Sequence, residues 1–390
     1  MLDFSFVSPT QFAFGKGTQA QAGEFCRAFG QKALLHYGGG SVVRSGLLDQ
    51  IKHSLQEAGV SFVELGGVQP NPRDTLVYEG IELCRKERVD VILAVGGGSV
   101  IDSAKAIAIG VKYGGDFWDF YSGKQTVTGV LPLGVVLTLP AAGSEASNSS
   151  VITQEKTSLK RFCDSDLLRP KFAILNPELT FTLPPFQTAC GVTDIMAHVM
   201  ERYFTNTQGV GLTDHMCEAV LMSMVKYARI VIQNPRDYDA RANIMWAGVV
   251  AHNNVLGVGR QQDWSTHMIE HELSALYDVA HGAGLATIFP AFLRYQYPHN
   301  VMRVAQFAQR VFGVEMDFEQ PERTALEGID RLKAFYHEIG MPTSFKELGA
   351  KEEDIDRLSA KVLLNNGDKL GYFHPLTRAG IAEVYRLACD

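Results

Sequence analysis

Along the first 180 residues, short apolar runs alternate with stretches of helical periodicity. Lys32–Tyr37 (KALLHY) predicts a strand leading into Gly38-Gly39-Gly40-Ser41, and the pattern from about Val42 to Ala58 predicts an amphipathic helix. Ser61–Glu64 predicts a second strand. After the Pro70-Asn71-Pro72 turn, Asp74 reads as the N-cap of a helix reaching about Arg88. Val89–Val95 (VDVILAV) is almost continuously apolar, as expected of a parallel strand covered on both faces. It leads into Gly96-Gly97-Gly98-Ser99 and a helix over Val100–Gly110. Gly134–Leu139 predicts a further strand, followed by Pro140 and the small polar loop AAGSEASNSS. Strands alternating with helices imply a parallel sheet with right-handed crossovers.

The pattern changes after Asn176-Pro177. Beyond the breaker Leu183-Pro184-Pro185, helical periodicities cover about 192–204, 213–232, 240–254 and 264–277, with no convincing strand. The expectation is an α/β domain over residues 1–182 and an all-helical domain over 183–390.

Composition narrows the function. At roughly 150 residues per domain, 390 residues favour two domains. A hydrophobic fraction of 46% with 20% charged residues excludes general disorder. With 36 Lys+Arg against 43 Asp+Glu the net charge is −7, and no basic stripe offers a footprint for nucleic acid. The six cysteines are scattered singly, which excludes a CxxC zinc ribbon or dithiol and suggests buried thiols in a reducing compartment. The N-terminus has no basic region before an apolar run, and Val127–Ala142 is broken by Pro132, Gly134 and Pro140. The expectation is a soluble cytoplasmic protein without membrane or nucleic-acid partners.

The pentapeptide GGGSV occurs at 38–42 and again at 96–100, each time between a predicted strand and a predicted helix. Glycines let a backbone approach a phosphate, and a helix N-terminus offers free N–H donors. Neither loop is a strict GxGxxG or Walker motif, and either alone could be a tight turn. Two of them at strand ends of one sheet favour a dinucleotide, one holding the adenosine end and one the pyrophosphate. No carboxylate follows Tyr37, where it would repel a ribose 2′-phosphate. This favours NADP over NAD, with Ser41, Arg44 and Lys160 in reach of the phosphate, although the two cations also read as solvated surface charge.

Asp194 and His198 stand four apart in GVTDIMAH, and His267 and His271 repeat that spacing in WSTHMIEH, with His281 following in DVAHGAG. Such pairs share a helix face. A carboxylate with imidazoles suits Fe(II) or Zn(II) with a position open for substrate. On spacing alone, a surface ion pair and a metal site both remain open. Met268 occupies the position of the HExxH general base, which excludes that motif.

Taken together, PTQFAFGKG, YGGGSV, GGVQPNP, AVGGGSVIDSAK, LTLPAAGSEAS, LNPELTFTLPP, GVTDIMAHVME, ANIMWA and QDWSTHMIEHELSALYDVAHGAGLA resemble the iron-containing (group III, metal-dependent) alcohol dehydrogenase family, nearly end to end. The subgroup they resemble is the butanol-dehydrogenase-like aldehyde reductases. The resemblance implies a Rossmann-like domain followed by an all-α domain, a dehydroquinate synthase-like architecture, and a homodimer. It implies Asp194, His198, His267 and His281 as metal ligands and places His271 near the nicotinamide. It implies cofactor contacts at Gly38, Gly39, Ser41, Gly96, Gly97, Gly98, Ser99, Asp102, Thr138 and Ser144. The implied reaction interconverts short-to-medium aldehydes and primary alcohols, by hydride transfer between a nicotinamide and a carbonyl whose oxygen the metal polarises.

Two rivals stand beside it. A dehydroquinate synthase-like or glycerol-1-phosphate dehydrogenase-like enzyme would need a basic cluster for an anionic substrate, whereas the segments flanking the ligands are apolar or small. A catalytically silent nucleotide- and metal-binding module would be expected to have lost a ligand.

Overall fold

The computed structural model describes residues 1–389. The chain forms two compact units, one from Val7 to Leu183 and one from Pro184 onward together with Met1–Phe6. Met1–Phe6, which the sequence reading puts in the first domain, are tied to the second unit. The Leu2 N–H donates to the Gly259 carbonyl at 2.8 Å, and the Met1 amino group donates to the Gln208 carbonyl at 2.6 Å.

The first unit contains strands β1 (Gln11–Phe14), β2 (Lys32–Gly38), β3 (Ser61–Val68), β4 (Val91–Gly96), β5 (Leu133–Leu137), β6 (Ser149–Gln154), β7 (Leu159–Asp164) and β8 (Phe172–Leu175). Six of them make one sheet in the order β1-β8-β5-β4-β2-β3, and every pairing is parallel. β4, β5 and β8 are buried along their whole length, which explains their unbroken apolar runs. Gly134 of β5 makes room for Phe172 of β8, since a Cβ there would run into the ring.

Several expectations shift. The helix expected over 42–58 is two helices, Ser41–Arg44 and Leu47–Glu57, because Gly46 between them has φ 74°. Asp74 is the first residue of the Asp74–Glu87 helix rather than its cap, and its carboxylate accepts the Glu155 N–H at 3.1 Å. Part of the polar loop after Pro140 begins the antiparallel β6–β7 pair.

In the second unit every long element is helical. Pro185 opens the Pro185–Tyr203 helix, followed by Gly211–Gln233, Tyr238–His252, Ser265–Tyr277 and His281–Gln296. Four further helices, Val301–Phe312, Pro321–Glu338, Ile355–Asn366 and Arg378–Leu387, complete a core around Ile195, Leu221, Phe289, Phe307 and Tyr385. Among the described residues no helix is long and apolar enough to cross a membrane. All six cysteines are free thiols.

Candidate metal centre and nucleotide loops

The sheet reverses its direction of growth between β2 and β4: β2 leads outward to β3, and β4 leads the other way to β5. A crevice at such a switch point is where open parallel sheets take ligands. The two GGGSV loops are the turns after these two strands. Thr138, just past β5, donates its N–H to the Gly96 carbonyl at 3.0 Å and so borders the second loop.

Each loop uses its glycines differently. Gly40 has φ 112°, a conformation that L side chains avoid. Gly97 and Gly98 have no such angle but are crowded: a Cβ on either would lie 3.1 Å from Leu139 Cβ or Ala142 Cβ, respectively. The Gly98–Lys112 helix that follows has no side-chain cap; the Val100 and Ile101 N–H groups donate to the Gly97 carbonyl, which leaves those of Gly98 and Ser99 to an anion. Gly38 ends β2, Gly39 has open space around it, and Ser41 is exposed at the start of its short helix. These residues fit a dinucleotide phosphate.

Not all the predicted contacts behave alike. Ser144 donates to Asp102 Oδ1 at 2.6 Å, while Asp102 Oδ2 accepts the Val151 N–H at 3.0 Å. Lys160 is buried and donates to Asn71 Oδ1 at 3.0 Å, which corrects the reading of it as solvated surface charge. Arg44 is exposed, as that reading had it.

The second unit assembles the metal candidates from three helices. Asp194 and His198 lie on the Pro185 helix, His267 on the first turn of the Ser265 helix, and His281 is the first residue of its own helix. Donor atoms of Asp194, His267 and His281 lie within 4.8 Å of one another. Asp194 Oδ1 is 3.8 Å from Nε2 of both His267 and His281 and 3.4 Å from His198 Nδ1. The His198 ring stacks on that of His267 with centroids 4.6 Å apart. Asp194 Oδ1, His198 Nδ1 and His267 Nε2 are buried without a hydrogen-bond partner among the described residues. Three buried polar atoms left unpaired and facing one another are costly unless a cation takes them up. The donor set fits a borderline divalent ion.

Their protonation follows the surroundings. Burial pushes His198 well below the ordinary imidazole value, and the neighbouring His252, His267 and Arg202 add to the shift. Burial also opposes charge on His267, but the carboxylates of Asp194 and Glu201 outweigh it and push the value up to about 9. His271 is buried, one turn beyond His267, with its ring 5.6 Å from that of His281.

The sequence reading missed several neighbours. Glu201 Oε1 is 2.8 Å from His267 Nδ1, and Glu270 bonds Nδ1 of His281. His252, which has no partner at helical spacing in the sequence, has its ring 4.1 Å from that of His198. The flanks of the candidate ligands are less apolar than they read, since the buried Arg202 donates to the His198 carbonyl at 2.7 Å. It also lies 3.2 Å from His252 Nδ1 and stacks over Trp264. The only sequence trace of the two glutamates is their position three residues after His198 and His267, on the same helix faces.

Both halves of the chain match known proteins. Residues 9–177 match the iron-containing alcohol dehydrogenase family model, and residues 188–389 match the C-terminal model of the Fe-containing alcohol dehydrogenase family. The chain is 39% identical to NADH-dependent butanol dehydrogenase A of Clostridium acetobutylicum, covering 99% of each. It is 34% identical to NADPH-dependent aldehyde reductase YqhD of Escherichia coli, covering 100% of each. The crystal structure of NADH-dependent butanol dehydrogenase A from Thermotoga maritima superposes with a TM-score of 0.97 at 41% identity, over 100% of this chain and 99% of that one. The class is thus a metal-dependent oxidoreductase working with a nicotinamide cofactor. The chain belongs to the iron-containing alcohol dehydrogenase family.

Proposed function

We propose that this enzyme interconverts short-to-medium aldehydes and primary alcohols with NADP(H) in preference to NAD(H), as a cytoplasmic homodimer. The observation that carries the reading is the cluster of unpaired buried donors at Asp194, His198 and His267, completed by His281. These four residues would hold one Fe(II) or Zn(II) ion, which supplies the positive charge that polarises a carbonyl oxygen. The nicotinamide supplies or accepts the hydride.

The chain's own residues do the rest. The Gly38–Ser41 and Gly96–Ser99 loops, Thr138 and the uncapped Gly98 helix bind and orient the cofactor phosphates. Asp102, Ser144 and Lys160 support that surface. The missing carboxylate at Gly38 supports the preference for a 2′-phosphorylated ribose. His271 is placed to hold or release a proton at a ring nitrogen beside His281. Arg202 is engaged by His198, His252 and Trp264, which favours an uncharged substrate over an anionic one. Leu2, Phe4 and Phe6 are exposed at alternate positions, which supports a second copy as partner.

The test is a steady-state panel of short aldehydes with NADPH and NADH, on protein reconstituted separately with Fe(II) and Zn(II). Turnover of butanal with either metal, fastest with NADPH, is expected. Tight binding of nucleotide and metal without turnover of any aldehyde would overturn the reading.

A further inference from the structure

Two fully buried glutamates tie together the three helices that carry the donors. Glu201 Oε1 accepts the His267 backbone N–H at 3.0 Å, bonds the Thr266 hydroxyl and stands 2.8 Å from His267 Nδ1. The Ser265 helix has no side-chain cap of its own, so this carboxylate from the Pro185 helix takes that place. Glu270 bonds the Ser274 hydroxyl through Oε1 and His281 Nδ1 through Oε2, linking the Ser265 helix to the His281 helix. Gly284 leaves the room for it, since a Cβ there would lie 2.6 Å from Glu270 Oε1.

A buried carboxylate demands donors. In the neutral ring that a metal ligand must be, these carboxylates hold the proton on Nδ1 of His267 and of His281, which assigns the metal to each Nε2, 3.8 Å from Asp194 Oδ1.

We propose that Glu201 and Glu270 are positioning residues for the metal. Each fixes the tautomer of one ligand histidine, aims its Nε2 and strengthens it as a donor. This rests on the metal-site reading above.

The experiment uses the full chain loaded with Zn(II), competed with a chelator and followed by elemental analysis, for wild type, Glu201→Gln, Glu270→Gln and Glu270→Ala. The Gln variants keep an acceptor but lose the charge, so zinc affinity should fall about 10- to 100-fold, and further for Glu270→Ala. Loading with Co(II) gives a second readout: the visible ligand-field bands should move in each variant. A purely structural role would lower the melting temperature of the metal-free protein and leave the Co(II) spectrum and zinc affinity unchanged, which would overturn the proposal. His267→Ala separates the two levels. If wild type binds one zinc and His267→Ala loses it while the Glu variants retain full affinity, only the positioning role fails. If His267→Ala retains the zinc, the metal-site reading falls and the proposal with it.

Discussion

The Ser144 hydroxyl donates to the Asp102 carboxylate at 2.6 Å, so two residues expected to face the cofactor are bound to each other. With the Val151 N–H on its other oxygen and the Ser150 hydroxyl on its backbone carbonyl at 2.9 Å, Asp102 fastens the Gly98 helix to the 138–149 loop and β6. Burial pushes its carboxyl pKa up, and the nearby Lys105 ammonium and these hydrogen bonds pull against that shift. Asp102→Ala should free the Val151 amide to exchange at least about 10-fold faster, a hydrogen bond to a charged group being worth about 1.5–3 kcal/mol. NADPH affinity should fall with it. Unchanged exchange at Val151 would show that β6 is held by other means.

Cofactor choice can be tested at a single position. A side chain at Gly38 has space, because the nearest atom to an added Cβ is the Val68 carbonyl oxygen at 3.4 Å. Gly38→Asp should therefore fold, and its charge would repel a ribose 2′-phosphate by about 1–4 kcal/mol at close range. The NADPH/NADH ratio of kcat/KM should drop by about 10-fold or more. A ratio that does not move would place the discrimination elsewhere.

The four candidate ligands and their neighbour should part company on replacement. His267→Ala is expected to abolish butanal turnover while leaving NADPH binding within a few-fold, because the nucleotide loops belong to the other unit. His271→Ala should slow turnover by about 10²- to 10⁴-fold, the usual weight of a proton-transfer group, and keep its metal. Loss of bound metal from His271→Ala by elemental analysis would make it a ligand.

His36 gives the α/β unit a defined acid sensitivity. Its ring is fully buried, with Nδ1 2.8 Å from the Leu65 carbonyl and Nε2 2.9 Å from the Ser103 hydroxyl. Burial pushes its pKa down to about 4, with the hydrogen bond to Leu65 opposing. Between the ordinary imidazole value of about 6.5 and 4, the unfolded chain takes a proton that the folded one refuses. This part of the stability is thus present above pH 6.5 and lost as pH falls, by about 3 kcal/mol in all. His36→Leu should be less stable at pH 7, and the gap in urea midpoint should narrow towards pH 4.5. A constant gap across that range would mean that His36 is not held neutral.

The parts legible in the sequence are those where burial and period agree. VILAV reads as a strand because both faces are covered, and the long helices of the second unit carry their stripes openly. β1 and β8, four residues each, are too short for a period to show, and the partner of β1 lies about 160 residues away. β6 and β7 mix polar residues into SSVITQ and LKRFCD, and neither shows a clean alternation in the letters. Of the candidate ligands, Asp194 and His198 show in the letters by their i, i+4 spacing, whereas the set completed by His267 and His281 came only with the family resemblance. Glu201 and Glu270 are not, because a glutamate on a helix is ordinarily solvated, and only folding shows both to be buried against imidazoles.

The repeated GGGSV spells one word with two meanings. At Gly40 the constraint is handedness: a mirror-image alanine would satisfy the torsion angles there, while every L residue is strained whatever its size. At Gly97 and Gly98 the constraint is volume, already felt by an L-alanine methyl group against Leu139 and Ala142. Substitution tolerance should therefore be all-or-none at Gly40 and graded with side-chain bulk at Gly97 and Gly98, so identical letters age differently under mutation.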